Sequence, residues 1–180
     1  MFYTSLETER LQLRNISLED REFIFSHFSD EEVTRYLYDA EPLTDMEGAD
    51  EIIQSYLQPE PRPCHRWILI RKTDGAKLGT CGFHNWYPDQ GRVEVGYDLK
   101  KEYWGMGYMQ EAMKEILAFA ETKMQVREIC AIIYVDNPGS IRLAERLGFR
   151  ITGSAKEVFR GKDYPHHRYS LYLNRDKDKI

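Results

Sequence analysis

The chain is poor in the features that mark several large classes of protein. Its 180 residues contain three cysteines, Cys64, Cys81 and Cys130. They are odd in number and form no Cys-x-x-Cys pair, so the sequence predicts no disulfide framework, only buried or incidental thiols in a reducing cytoplasm. No apolar run approaches the ~20 residues of a membrane span, and the amino terminus lacks a basic-then-apolar leader. No membrane association is expected. Serine- and glycine-rich linkers, repeats and low-complexity blocks are missing, so residues 1–174 read as one domain and 175–180 as a charged, frayed tail. The net charge of −5 opposes nonspecific nucleic-acid binding and is compatible with a cationic partner. His166 and His167 fall on opposite faces of an expected strand, and no further His, Cys or Asp has ligand spacing, so no metal is predicted.

What the chain does have begins at Val93. Val93, Val95, Tyr97 and Leu99 alternate with Glu94, Gly96 and Asp98, the period of a strand with two different faces. From Met109 the period changes: Met109, Ala112, Met113, Ile116, Leu117 and Ala120 form one apolar helix stripe. Between strand and helix stand Gly105 and Gly107, which permit a tight turn with uncovered N–H groups where the helix dipole favours an anion. A strand delivered to a helix N-terminus in this way is a phosphate site. A kinase- or ATPase-type loop would need Gly-Lys-Ser/Thr, but Tyr108 and Met109 follow Gly107. A dinucleotide fingerprint would need a third glycine, where Gln110 stands.

A second segment lies downstream. Glu128 to Val135 is an apolar strand candidate, followed by Asp136-Asn137-Pro138-Gly139-Ser140 and a short helix ending at Leu147-Gly148-Phe149. Asn137 suits the N-cap, Pro138 the first helical position and Gly148 a left-handed C-terminal residue.

Glu94-Val95-Gly96-Tyr97, Tyr103-Trp104-Gly105-Met106-Gly107-Tyr108 and Glu111-Ala112 resemble the acyl-CoA pyrophosphate loop of the GNAT N-acetyltransferases, in the branch that includes the ribosomal-protein N-terminal acetyltransferases. Asn137, Ser140 and Leu147-Gly148-Phe149 resemble the second motif of that family, and Thr8-Glu9-Arg10-Leu11-Gln12-Leu13-Arg14 its first strand. The resemblance implies an α/β GNAT fold: a mixed, twisted sheet with helices on both faces and acetyl-CoA wedged where two central strands splay. It implies cofactor contacts from Tyr97, Leu99, Trp104, Gly105, Met106, Gly107, Tyr108, Met109, Asn137 and Ser140. Met109 departs from the small residue usual there, and its place in the stripe predicts that it points into the helix-packing face. Asn137 reads equally well as a cap alone. A homodimer is compatible with the family, and the acceptor amine is left open.

The remaining elements follow from local chemistry. Ser17 and Asp20 resemble a capping box before a helix carrying Phe23, Ile24 and Phe28, and Thr44 with Glu47 forms a full box before Ala49, Ile52, Ile53, Tyr56 and Leu57. Pro59 to Pro63 is expected to be extended. Arg66 to Lys72 and Lys77 to Trp86 read as strands around an Asp74-Gly75 turn, with later strands over Ile151 to Phe159 and His166 to Leu173.

Acetyl transfer needs a neutral amine, a polarised carbonyl and a proton for the departing thiolate. Glu94, opposite Val93 and Val95, is the first candidate base; the other reading is a structural ion pair. A glutamate's ordinary pKa of about 4.3 is low for the task, so burial or a held water is required. His84 is the alternative base or a substrate contact. Many family members place a proton-donating Tyr four residues beyond Ser140, but that position is Ala144; the resemblance to the ribosomal branch implies Ser140 as the candidate donor, with a helix-terminal hydroxyl as its other reading. A backbone N–H between Tyr97 and Leu99 is expected to meet the oxyanion. Tyr36, Tyr38, Trp67, Trp86 and Tyr87 are candidates for an acceptor pocket, with Tyr36 and Trp67 singled out for substrate beside His84. The function expected is acetyl transfer to a peptide N-terminus or small-molecule amine by direct attack. The alternative is an acyl-CoA sensor of the same fold with weak chemistry.

Overall fold

The structure is a computed structural model that describes residues 2–37, 41–60, 62–159 and 161–173. Tyr38 and the 175–180 tail lie outside the described residues. The strands are β1 (Leu6–Glu7), β2 (Leu11–Asn15), β3 (His65–Arg71), β4 (Lys77–Tyr87), β5 (Arg92–Leu99), β6 (Glu128–Tyr134), β7 (Arg150–Phe159) and β8 (Lys162–Tyr172). They form a sheet in the order β1-β2-β3-β4-β5-β6-β8-β7. Neighbours are antiparallel except β5 and β6, which run parallel. The helices are α1 (Arg21–Phe28), α2 (Glu31–Thr34), α3 (Met46–Tyr56), α4 (Tyr108–Thr122) and α5 (Pro138–Arg146). The mixed sheet with helices on both faces is the expected architecture.

Alternation along the strands divides two cores. Trp67, Leu69, Phe83, Val93 and Val95 face Met109, Ala112, Met113, Ile116 and Ala120 of α4, whose stripe is buried as predicted; Met109 is 8 % exposed. Ile68, between Trp67 and Leu69, turns to the other face, where Ile24 and Phe28 of α1 and Ala49, Ile53 and Tyr56 of α3 cover it. Each fully buried large apolar side chain contributes about 1.5–3 kcal/mol, so both faces of the central strands stabilise the domain.

Several local expectations are refined. The expected first strand is broken at Thr8–Arg10, which turn so that β1 folds back on β2 with Leu6 opposite Leu13. Asp45, not Thr44, caps α3: its Oδ1 accepts from the Gly48 N–H at 3.0 Å, while Thr44 donates to the Asp45 carboxylate. The one-turn helix α2 was not legible in the sequence. The last strand starts at Lys162 rather than His166, with Pro165 inside it. The Pro165 carbonyl accepts from Val135 just beyond Tyr134–His166, where β6 has ended. Its missing N–H falls on that same β6 side, past the last β6 pair, while β7 keeps its place beside β8 with Lys156 opposite Pro165.

The sheet opens in its middle. β5 and β6 are paired only at Arg92–Glu128, Val93–Ile129 and Glu94–Cys130. Beyond these, β5 stays with β4 as far as Leu99–Gly79, and β6 stays with β8 as far as Tyr134–His166. Residues 95–99 and 131–134 thus diverge, leaving a gap through which the two faces of the sheet communicate.

Candidate active site

A cleft of about 400 Å³ occupies that gap, within the size range of small-molecule sites. Glu94, Tyr97, Asn137, Ser140, His84 and Tyr36, all singled out in the sequence, line it together. Trp67 does not. Its side chain is fully buried in the α4-side core, edge-on to Phe83 and Phe119, with Nε1 donating to the Thr4 carbonyl at 3.0 Å. An indole at that strand position is packing, because the strand face that carries it points away from the cleft.

On the α4 side a glycine turn leads into the helix with its backbone N–H groups uncovered. Gly105 and Gly107 have φ of +76° and +80°, conformations that a side chain resists. Gly107 is the N-cap of α4 and no side chain caps the helix; its first intrahelical bond runs from Glu111 N–H to the Gly107 carbonyl. The preceding N–H groups of the first turn have no partner within the helix. Tyr108 and Met109 bury their side chains, so at these two positions the turn presents backbone. Trp104 Nε1 donates to the Leu99 carbonyl at 2.7 Å, bracing the loop against the end of β5. A latch from the amino-terminal turn holds the other side: Thr8 Oγ1, Arg10 N–H (2.8 Å) and Arg10 Nε (2.6 Å) all donate to Glu111, and Arg10 Nη1 donates to the Met106 carbonyl at 3.0 Å.

At the start of α5, Asn137 Oδ1 accepts from Ser140 N–H (3.1 Å) while Asn137 Nδ2 donates to Ser140 Oγ (3.0 Å). The cap is therefore real, and it does more than cap. With Oγ already accepting, the Ser140 hydroxyl hydrogen is left for a partner elsewhere. The Tyr97 hydroxyl is shielded from solvent, and burial pushes it up to about 12 against the lowering effect of Ser140. At the other end of α5, Gly148 has φ +90°, and Phe149 N–H reaches back to the Ala144 carbonyl, closing the helix as expected.

On the α1/α3 side the cleft is lined by Glu94, Gly96 and Asp98 of β5, His84 and Asn85 of β4, Arg66, Tyr56, and the tyrosines Tyr36, Tyr134 and Tyr164. Glu94 Oε2 accepts from Asn85 Nδ2 at 2.9 Å. The His84 ring lies over Gly96, where an added Cβ would approach Nε2 to 2.8 Å; this close approach is why the strand carries glycine there. Burial, and then the charge of Arg66, drive His84 down to about 3, so the imidazole is neutral near pH 7 and a weak base. Asp98 is buried behind them. It accepts from Thr80 N–H (3.0 Å), meets His27 Nε2 at 2.6 Å and Arg66 Nη1 at 3.7 Å. Burial would raise the Asp98 carboxyl, but His27, Arg66 and Thr80 outweigh it and hold the group below the ordinary range.

Sequence reasoning did not single out Asn85, Arg66, Tyr56, Tyr134 or Tyr164. Asn85 carried a faint signal, a turn-prone residue inside an otherwise regular strand; the others carried none. Among the described residues, no group of three His, Cys, Asp or Glu could hold a metal ion, and no helix is long and apolar enough to cross a membrane.

The family model described as "Acetyltransferase (GNAT) domain" matches residues 10–150, and the chain belongs to that family. It is an acetyl-CoA-dependent N-acetyltransferase. Among its relatives, the uncharacterized N-acetyltransferase YoaA of Bacillus subtilis (strain 168) is 34% identical over 175 residues, which cover 95% of this chain and 98% of that one. The fold is shared with RimL, a ribosomal L7/L12 alpha-N-protein acetyltransferase solved with coenzyme A, at TM-score 0.86 and 17% identity over 96% and 99% of the two chains. It is also shared with spermidine N-acetyltransferase from Vibrio cholerae, solved with CoA and spermine, at TM-score 0.80 and 19% identity over 91% and 95%.

Proposed function

We propose that this cleft transfers the acetyl group of acetyl-CoA to a primary amine, a peptide N-terminus or a small-molecule amine, by direct attack. One observation carries the reading: the gap between β5 and β6 joins two unlike chemistries. Asn137 and Ser140 line it on one side and the Glu94 carboxylate among tyrosines on the other, and β5 leads from it to the uncapped start of α4, the anion cradle, which lies outside the cleft lining. A long acyl donor fits the first, with its pyrophosphate at the helix terminus, its arm along Asn137 and its thioester in the gap. A cationic amine suits the second.

Glu94 takes a proton from the acceptor nitrogen, directly or through a water. The nitrogen lone pair attacks the thioester carbon, and the oxyanion is met by a backbone N–H of residues 97–99, on the strand edge that β6 has left. As the carbon–sulfur bond breaks, the attacking nitrogen, cationic after addition, releases its second proton, and the Ser140 hydroxyl relays it to the departing thiolate. A covalent acyl-enzyme is disfavoured, because burial pushes all three thiols upward, away from the reactive thiolate.

Isothermal titration with CoA, followed by thiol release with peptides bearing Ala or Ser N-termini beside small amines, tests this. Binding with turnover of at least one acceptor is expected. Binding without turnover on any acceptor would make the protein a sensor, and no CoA affinity would remove the site.

A further inference from the structure

Strand β4 departs from regularity beside the carboxylate assigned as base. His84 stands opposite Glu94, but the next pair is Tyr87 with Arg92, so β4 spends two residues, Asn85 and Trp86, where β5 spends only Val93. This is a β-bulge. By simple alternation residue 85 would point to the face opposite His84 and Glu94. Instead Asn85 takes φ +47°, left-handed backbone that is uncommon for a residue with a side chain. Its amide thereby returns to the Glu94 side, where Nδ2 donates to Oε2 at 2.9 Å. The bulge is anchored from outside: the Trp86 N–H donates to the Pro63 carbonyl at 3.0 Å. Bulges next to functional sites re-aim single side chains, and an observed backbone outlier is a pointer to function.

We propose that Asn85 is a positioning residue for acetyl transfer: the bulge turns its amide onto one Glu94 oxygen, fixing the carboxylate so that Oε1 is presented to the acceptor amine. This rests on the reading of Glu94 as the base. Asn supplies both requirements, since it tolerates left-handed backbone and its amide donates. Aspartate meets the first requirement alone, and glycine supplies the conformation without the side chain.

The test uses that separation. Asn85→Gly relieves the backbone, so its Tm should hold or rise, yet turnover with the best acceptor should fall about tenfold to hundredfold, as for a misaimed reacting group. Affinity for CoA should not change. Asn85→Asp sets a second carboxylate against Glu94, and the like charge should carry the acidic limb of the pH–rate profile to higher pH. A merely structural residue would move neither turnover at constant Tm nor that limb. Glu94→Gln is measured alongside. If Glu94→Gln loses turnover while Asn85→Gly keeps wild-type turnover, the positioning role is overturned and the base stands. If Glu94→Gln turns over normally, both fall.

Discussion

Replacing Gly107 with Val tests the anion cradle most directly. Gly107 holds φ +80° at the head of α4, and a Cβ built there comes within 3.4 Å of Arg10 Nη2, part of the latch onto Glu111. A β-branched residue in this region is strained by about 1–3 kcal/mol. For a domain of this size each kcal/mol lowers Tm by about 2–4 °C, so a measurable drop is expected. The protein can escape the strain only by rotating the 106–108 peptides, which turns the first-turn N–H groups away from a bound pyrophosphate. A hydrogen bond to a charged group contributes about 1.5–3 kcal/mol. Losing one therefore weakens CoA binding at least tenfold, about 1.4 kcal/mol. Gly161→Val provides a matched control, with φ +68° in the β7–β8 connection and nothing within 4 Å of an added Cβ. It should lower Tm comparably and leave the affinity alone. Calorimetric titration and melting of both variants give the answer. A folded Gly107→Val protein that binds CoA like wild type refutes the assignment of the cradle.

Three further outcomes are expected. Ser140→Ala should lower turnover by roughly 10²-fold or more with CoA affinity nearly intact; unchanged turnover with the best acceptor would make Ser140 a partner of Asn137 and nothing else. Glu94→Gln should lose about 10²–10⁴-fold in turnover, mostly below the basic limb of the pH–rate profile; a variant that melts earlier but turns over normally would mark an ordinary structural carboxylate. The Asp98 carboxyl is held low in the folded state, so its stabilisation is present above the unfolded value near about 3.9 and is lost as pH falls through the lower, folded one. Asp98→Asn, which strands buried Arg66, should cost about 3–5 kcal/mol near neutral pH and flatten the acid limb of a denaturation series, whereas an unchanged acid limb would place the pH-sensitive group elsewhere.

How far the sequence revealed this arrangement depends on the range of the interaction concerned. The β5–turn–α4 unit was legible because its signals are local: alternation, two glycines, then a helical stripe that also placed Met109 correctly. The Asn137 cap and the Gly148 stop are equally short-range. Trp67 was misjudged because alternation separates two faces of a strand without saying which helix covers either one. Asp98 looked like part of a polar face, yet α1 covers that face and brings His27 to the carboxylate across 71 positions of sequence. The purpose of Thr8 and Arg10 was hidden for the same reason, since Glu111 lies about a hundred positions away. Asn85 was missed through over-regularity, for a strand read as an unbroken alternation has no place for a bulge.

The three-pair seam between β5 and β6 also bears on how the domain responds mechanically. It leaves two leaves, β1 to β5 and β6 to β8, whose free edges diverge over the stretch where a sheet would ordinarily be stitched by backbone bonds. An occupant of the gap that bonds to both edges acts as a removable suture. Its binding energy is returned as resistance to opening, about 2.7 kcal/mol at a ligand concentration one hundred times Kd. The slowest-exchanging amides of the loaded protein should then extend across the seam. In the empty protein the gap-facing amides beyond Glu94 and Cys130 should exchange faster while those paired with β4 and β8 stay protected, so the seam itself reports whether the donor is in place.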